Sequence, residues 1–167
     1  WNGRALLEEY LPEVVAHSHP HQVYVIDNQS SDDSLAFVAD SFPQVAIVQT
    51  GANLGYAGGY NEGLKQLTEE VVVLINSDVR PTPNWLDPIA LHLDTHPNCG
   101  ALQPKILWDR AKEKFEYAGA AGGFMDVLGY PFCRGRLIDH LENDRGQYDE
   151  PRKVFWATGA CLVVRKS

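Results

Sequence analysis

The eight residues Val71-Val72-Val73-Leu74-Ile75-Asn76-Ser77-Asp78 constrain this chain more than any other stretch. The unbroken apolar run at their start, mostly Val and Ile, predicts a strand buried on both faces, as in a parallel sheet. The run stops in an amide, a hydroxyl and a carboxylate, and Pro81 and Pro83 bar further strand. Side chains two apart on a strand share a face, which would aim Asn76 and Asp78 to one side. Ligands of open parallel sheets bind at the carboxyl ends of strands, and an oxygen-rich pair there suits a hard divalent cation carrying a phosphate. The competing reading makes Asp78 a cap on the turn into the following helix. The tripeptide alone does not separate the two.

A length of 167 residues suits one domain with a sizeable core. The net charge of -8 argues against a broad nucleic-acid-binding surface. An anionic ligand would need local help from a metal, a basic side chain or backbone N–H groups. No apolar run approaches the roughly 18 residues of a membrane span, and no signal-peptide pattern is present. Cys99, Cys133 and Cys161 are odd in number and lack CxxC spacing, which predicts reduced thiols and a cytoplasmic setting and argues against structural zinc. His17, His19 and His21 alternate around Pro20 and read as a solvated loop rather than a metal site. Both ends, Trp1 and Arg165-Lys166-Ser167, read as cuts through a larger protein.

In chain order, Leu6, Leu7, Tyr10, Leu11, Val14 and Val15 predict a helix over 4–16, with a kink or a late start at Pro12. Val23–Ile26 is a short strand, followed by a polar run in which Ser31 or Asp32 should cap a helix bearing Leu35, Val38, Ala39 and Phe42. Val45–Val48 is the next strand. The glycine-rich loop from Gly51 to Gly63 should contain the start of a helix running to about Leu67. A further helix should run from Pro83 to about His96, with Thr82 as N-cap. Residues 100–107 read as a strand interrupted by Pro104, Phe115-Glu116-Tyr117 as a short strand, and 118–152 as a long mobile or functional lid. Val154-Phe155-Trp156 and Cys161–Val164 close the chain. Alternating strands and helices through residue 96 predict βαβ units and a parallel sheet in an α/β fold.

In such a sheet three polar strand ends would line one crevice: Asp27-Asn28, the Gly/Asn loop, and Asn76-Ser77-Asp78. Strand-end carboxylates and amides suit a nucleoside. Asp27 could accept a base N–H or ribose hydroxyls, and Asn61 could bond a base. Gly55, Gly58 and Gly59 admit two readings, close backbone approach to a ligand beside a helix N-terminus, or tight-turn geometry alone. The loop fits neither GxGxxG nor a P-loop.

These features in this order resemble the family 2 glycosyltransferases of GT-A fold, particularly bacterial rhamnosyltransferase-like members. The matching pieces are Val25-Ile26-Asp27-Asn28-Gln29-Ser30-Ser31-Asp32-Asp33-Ser34, Asn53-Leu54-Gly55-Tyr56-Ala57-Gly58-Gly59-Tyr60-Asn61-Glu62-Gly63, and Leu74-Ile75-Asn76-Ser77-Asp78-Val79. Pro81-Thr82-Pro83-Asn84-Trp85-Leu86 matches as well, and Gly159-Ala160-Cys161 resembles the segment before the family's catalytic helix. The resemblance implies a three-layer α/β/α sandwich with a mostly parallel central sheet and a Rossmann-like nucleotide-binding half. It implies a single domain, with 1–107 as the nucleotide-sugar half and 108–167 as the start of the acceptor side. It places Asp27, Asn28, Asn53, Gly55, Asn61, Asn76 and Asp78 in the nucleotide-sugar site, with Asp78 on a Mg or Mn ion and Asn76 in support. The implied reaction is inverting transfer from a dTDP- or UDP-sugar to a glycan or lipid-linked acceptor in cell-surface polysaccharide synthesis. The full protein would then work in the cytoplasm or at the inner face of the cell membrane, with room for peripheral membrane association.

Two departures from the family pattern qualify this. The family's first strand would precede Trp1-Asn2-Gly3, and its loss should leave a gap in the sheet with exposed apolar edges. The family's acidic catalytic base would lie beyond Ser167, so the chain by itself is expected to bind and not turn over. Glu142, Asp144, Asp149 and Glu150 read as solvated loop charges, and Arg134 and Arg136 as candidate phosphate contacts. The alternatives are a non-catalytic nucleotide-sugar-binding module and a nucleotidyltransferase of related architecture.

Overall fold

A computed structural model describes residues 1–116, 119–137 and 140–166. The chain divides into two units, Trp1–Glu70 with Ser77–His96, and Val71–Asn76 with Pro97–Ser167.

The first unit holds α1 (Arg4–Ser18), β1 (Tyr24–Asp27), α2 (Ser34–Ser41), β2 (Ala46–Gln49), α3 (Gly55–Leu64) and α4 (Leu86–Thr95). Helix α1 buries Leu11 and Val14 and runs straight through Pro12 from Arg4, so the late start is not seen. Pro12 is exposed there and removes one helical hydrogen bond without ending the helix. The N-cap of α2 is Asp33 rather than Ser31 or Asp32, and its side chain makes no cap bond. The preceding Asp32 supports the helix start, its Oδ1 accepting Ser34 N–H at 3.1 Å and Ser34 Oγ at 2.5 Å. Strands β1 and β2 are parallel neighbours, with Tyr24 opposite Ala46 and Asp27 opposite Gln49, and α2 is the crossover between them. Helix α4 starts at Leu86, later than Thr82 and Pro83 suggest, because Asn84 takes a φ of +59° that interrupts the helical path.

The second unit holds β3 (Val71–Ile75), β4 (Ala101–Leu102), β5 (Leu107–Trp108), β6 (Ala111–Phe115), β7 (Gly123–Met125), β8 (Pro131–Cys133), β9 (Arg136–Leu137), β10 (His140–Leu141) and β11 (Cys161–Arg165). The partner of β3 is the distant β11, and the two run antiparallel from Cys161 opposite Ile75 to Arg165 opposite Val71. This corrects the parallel pairing inferred for β3. An apolar run states that a strand is buried and not the direction of its neighbour. Among the described residues β3 is an edge of the order β3-β11-β4, and β1 pairs with β2 alone.

Residues 118–152 are not a structureless lid. Strands β7 to β10 form a four-stranded antiparallel sheet. Its base packs on the fully buried Phe115 with Ala120 and Ala121, beside Leu107, Cys133 and Tyr148. Gly135 sits at φ +89° with Phe115 Cγ only 2.4 Å from where a Cβ would stand, so no other residue type fits. Tyr117 and Ala118, within the stretch read as strand and loop, lie outside the described residues, as does Ser167. Among the described residues no helix is long and apolar enough to cross a membrane.

Candidate nucleotide-binding site

Because β1 and β2 are parallel, their carboxyl ends share one edge, and the polar residues that stop each strand meet there. The centre of that edge is Asn28. Its Nδ2 donates to Asn53 Oδ1 at 3.1 Å and to the Gly55 carbonyl at 2.9 Å. Its Oδ1 accepts Leu54 N–H at 2.9 Å. The single Thr50 hydroxyl hydrogen goes to the Ala52 carbonyl at 2.7 Å, the nearest of its three acceptors. Both Asn28 donor hydrogens are therefore used, while one acceptor lone pair remains. Asn28 fixes the shape of the glycine loop.

The neighbouring Asp27 is different. It is 5% exposed, and its carboxylate accepts the Ser30 N–H at 3.0 Å. Among the described residues that amide is its one hydrogen-bond donor. A carboxylate has about four acceptor sites, so this buried acid retains capacity that burial makes costly to leave unused. Gln29 takes a φ of +60°, which turns the chain back so that Ser30 N–H reaches Asp27.

The loop glycines divide by role. Gly55 adopts φ +69° and starts α3, which is turn geometry. Gly59 and Gly63 let α3 lie against β1, since added Cβ atoms would stand 3.1 Å from Asn28 Cγ and 2.6 Å from Ile26 Cδ1. The Leu54 and Gly55 N–H groups at the α3 start are already taken by Asn28 and by Asn53, the latter at 3.1 Å. Asn61 lies midway between Gly59 and Gly63, about 200° around the helix from each. Asn61 is thus on a face of α3 other than the one packed on β1, and its side chain is exposed.

Strand β3 ends at Ile75, and Ser77-Asp78 form a turn, so strand alternation does not extend to Asn76 and Asp78. Asn76 N–H donates to the Ala160 carbonyl at 2.9 Å, which joins the motif to the Thr158–Cys161 segment. Asp78 is exposed and stands well before α4 begins at Leu86, so it does not cap that helix. Two residues on, Arg80 bonds Glu13, lies 3.6 Å from Glu9 and stacks over Tyr10, which ties the turn to α1.

Sequence reading missed three contributors, two at this edge and one on the Asp78 turn. Asn2 accepts Ser31 N–H at 2.8 Å and donates its own N–H to Ser30 Oγ at 2.8 Å, bracing the Asp27 turn. Thr50 and Arg80 were missed as well. An isolated Asn, Thr or Arg carries no periodic signal, and long-range partners alone reveal these roles.

Three of the four acids read as solvated loop charges are instead paired within the second unit. Lys105 Nζ binds Asp144 at 2.6 Å and Asp149 at 2.5 Å, and Tyr148 OH donates to Glu142 at 2.9 Å. Arg134 is half-buried, with Nε donating to the Ala121 carbonyl at 2.8 Å, so it braces the sheet rather than standing ready for phosphate. The three cysteines are free, as their spacing predicted. Burial pushes the Cys161 thiol up to about 12.

Residues 1–166 match the family model described as Glycosyl transferase family 2. The chain is 31% identical to N-acetylglucosaminyl-diphospho-decaprenol L-rhamnosyltransferase of Mycobacterium tuberculosis, in strains CDC 1551 and H37Rv, over 96% of its own length. It spans 57% of those relatives. Among solved structures it resembles the mannosyltransferase PcManGT of Pyrobaculum calidifontis in complex with GDP-Man and Mn2+ (TM-score 0.55, 25% identity, 66% of this chain and 34% of that one). S. aureus TarS is similar in fold (TM-score 0.59, 22% identity, 76% of this chain and 39% of that one). The chain belongs to glycosyltransferase family 2 and has the α/β fold of the GT-A enzymes.

Proposed function

We propose that this chain is the donor-binding part of an inverting glycosyltransferase that takes a sugar from a dTDP- or UDP-sugar to a lipid-linked glycan acceptor. The observation that carries the reading is the buried Asp27 carboxylate, held by one backbone N–H at the shared end of two parallel strands. Its unused acceptor sites suit a base N–H or ribose hydroxyls, and Asn28 keeps the adjoining Asn53–Gly55 loop in the shape that admits the nucleoside. Support comes from family membership, from relatives named as rhamnosyltransferases of a diphospho-decaprenol substrate, and from a structural neighbour holding a nucleotide sugar with Mn2+.

Asp78 would hold a Mg or Mn ion carried by the donor diphosphate, with Asn76 as a neutral supporting oxygen. The donor set fits that use. Among the described residues no group of three His, Cys, Asp or Glu could hold a metal alone, and an ion shared with substrate phosphates needs only one or two protein carboxylates. When bound, the ion supplies Lewis-acid stabilisation of the charge on the departing diphosphate. Arg80, anchored on α1, positions the turn that carries Asp78. The acceptor hydroxyl attacks the anomeric carbon from the face opposite the diphosphate, and a general base takes its proton.

Calorimetric titration of the full-length protein with UDP-, dTDP- and GDP-sugars, each with Mg or Mn, tests the reading. Metal-dependent binding of one donor, lost in Asp27→Asn, is the expected result. An absence of binding by every donor would overturn it.

A further inference from the structure

Strands β7 and β8 pair from Gly123 opposite Cys133 to Met125 opposite Pro131, and close through Asp126–Tyr130. This tip is strongly apolar and open. Val127 is 102% exposed, Leu128 78% and Tyr130 67%, with Met125 and Phe132 exposed beside them. Adjoining apolar side chains left bare in this way mark an interaction surface.

The backbone of the tip is closed on itself. Asp126 N–H donates to the Tyr130 carbonyl at 3.0 Å, and Gly129 N–H to the Asp126 carbonyl at 3.1 Å. Asp126 Oδ1 accepts the N–H groups of Leu128 at 2.8 Å and Tyr130 at 2.9 Å. The tip's one carboxylate is thus engaged by two amides. Four N–H groups of the tip, those of Asp126, Leu128, Gly129 and Tyr130, are paired in this way, which lowers the cost of taking it out of water.

Cations lie behind it. The Arg134 and Arg152 guanidinium groups stand 5.7 and 5.4 Å from the Phe124 ring centre, and Lys153 follows, exposed. Phe124 lies in β7 and Val127 in the turn that follows, at most about 10 Å apart along the chain. Interfacial elements bury their apolar part about 5–10 Å into the headgroup boundary. The exposed Arg152 and Lys153 can therefore reach headgroup level when the tip is inserted, while Arg134 stays on the sheet. Glu150 is the acid nearest Arg152 in sequence, and the neighbouring Asp149 is engaged by Lys105.

We propose that the β7–β8 hairpin is a membrane-docking wedge, in which Val127, Leu128 and Tyr130 enter an anionic bilayer surface while Arg152 and Lys153 meet its headgroups. The inference rests on the proposed lipid-linked acceptor, which would bring the enzyme to such a surface.

The test uses the full-length protein with phosphatidylcholine vesicles, with and without phosphatidylglycerol, and a polarity-sensitive fluorophore on Leu128→Cys. Association should need phosphatidylglycerol and shift the probe to the blue. Val127→Ser with Leu128→Ser should weaken it about tenfold or more. Arg152→Gln with Lys153→Gln should weaken it about tenfold for the anionic vesicles only. All variants sit at exposed positions, and unchanged thermal unfolding would confirm that they fold. Vesicle binding that ignores the serine pair would overturn the wedge. So would a probe already shielded without vesicles, which assigns the tip to a protein contact. A donor titration on the same preparation separates the two readings. Donor binding without vesicle binding sinks the wedge alone, whereas hairpin-dependent vesicle binding without donor binding supports the wedge and sinks the donor-binding reading.

Discussion

The Asn28 side chain donates to Asn53 Oδ1 at 3.1 Å and so joins the end of β1 to the loop after β2. With three bonds on one amide, this clasp decides the shape of the loop beside Asp27. Asn28→Ala should cost about 0.5–1.5 kcal/mol in urea unfolding, because it removes the bonds to Leu54 N–H and the Gly55 carbonyl at exposed positions that water then reaches. It should also weaken donor binding about tenfold by calorimetry. Asn28→Asp keeps the acceptor but loses both donors, and an effect as small as that of a surface substitution would refute the clasp.

Gly63 and Ile26 form the closest packing of α3 on β1, with the added Cβ 2.6 Å from Ile26 Cδ1 and 2.8 Å from Cγ2. Gly63→Ala gains about 1 kcal/mol of helix propensity. Overpacking costs about 1–3 kcal/mol, so net destabilisation is the expected sign. Ile26→Ala opens the space. In a double-mutant cycle the pair should cost less than the sum of its parts by about 0.5–3 kcal/mol. Simple additivity would show that the contact relaxes without strain.

Asp78 is exposed, so Asp78→Asn should leave unfolding within about 0.5 kcal/mol of the parent. Metal-dependent donor binding or transfer by the full-length protein should fall about a hundredfold. Retained metal dependence in the variant would remove Asp78 from the site. Arg80→Ala should give a smaller loss together with a measurable loss of stability, since it also breaks the tie to Glu13 on α1.

Lys105 links Asp144 and Asp149, and the pH response of the second unit follows from it. Burial alone would lower the Lys105 ammonium, but the hydrogen bonds to both carboxylates outweigh it and raise its pKa. The Lys105 hydrogen bond in turn lowers Asp144. The Asp144 contribution is present above its unfolded value near ~4 and is lost as pH falls through the folded value. The Lys105 contribution is complete below its unfolded value near ~10.4 and is lost as pH rises through the folded one. Lys105→Met should therefore cost about 1 kcal/mol at neutral pH and flatten the acid limb of a urea-midpoint profile. A parallel shift of the whole profile would show that the loss is one of packing.

The sequence by itself determined the family, the α/β character and the strand-end position of Asp27, because apolar runs and the polar residues that stop them are local signals. It also placed the start of α2 to within two residues, with Asp32 bonded to Ser34 just ahead of the Asp33 cap. Tertiary structure decided the rest. β3 takes β11 as its antiparallel partner across more than eighty residues, and among the described residues β7 to β10 form a sheet whose base packs on Phe115. Asn28 becomes a clasp, and Asn61 turns outward. Each of these depends on which distant groups meet, and a burial pattern specifies how much of a side chain is covered without specifying by what.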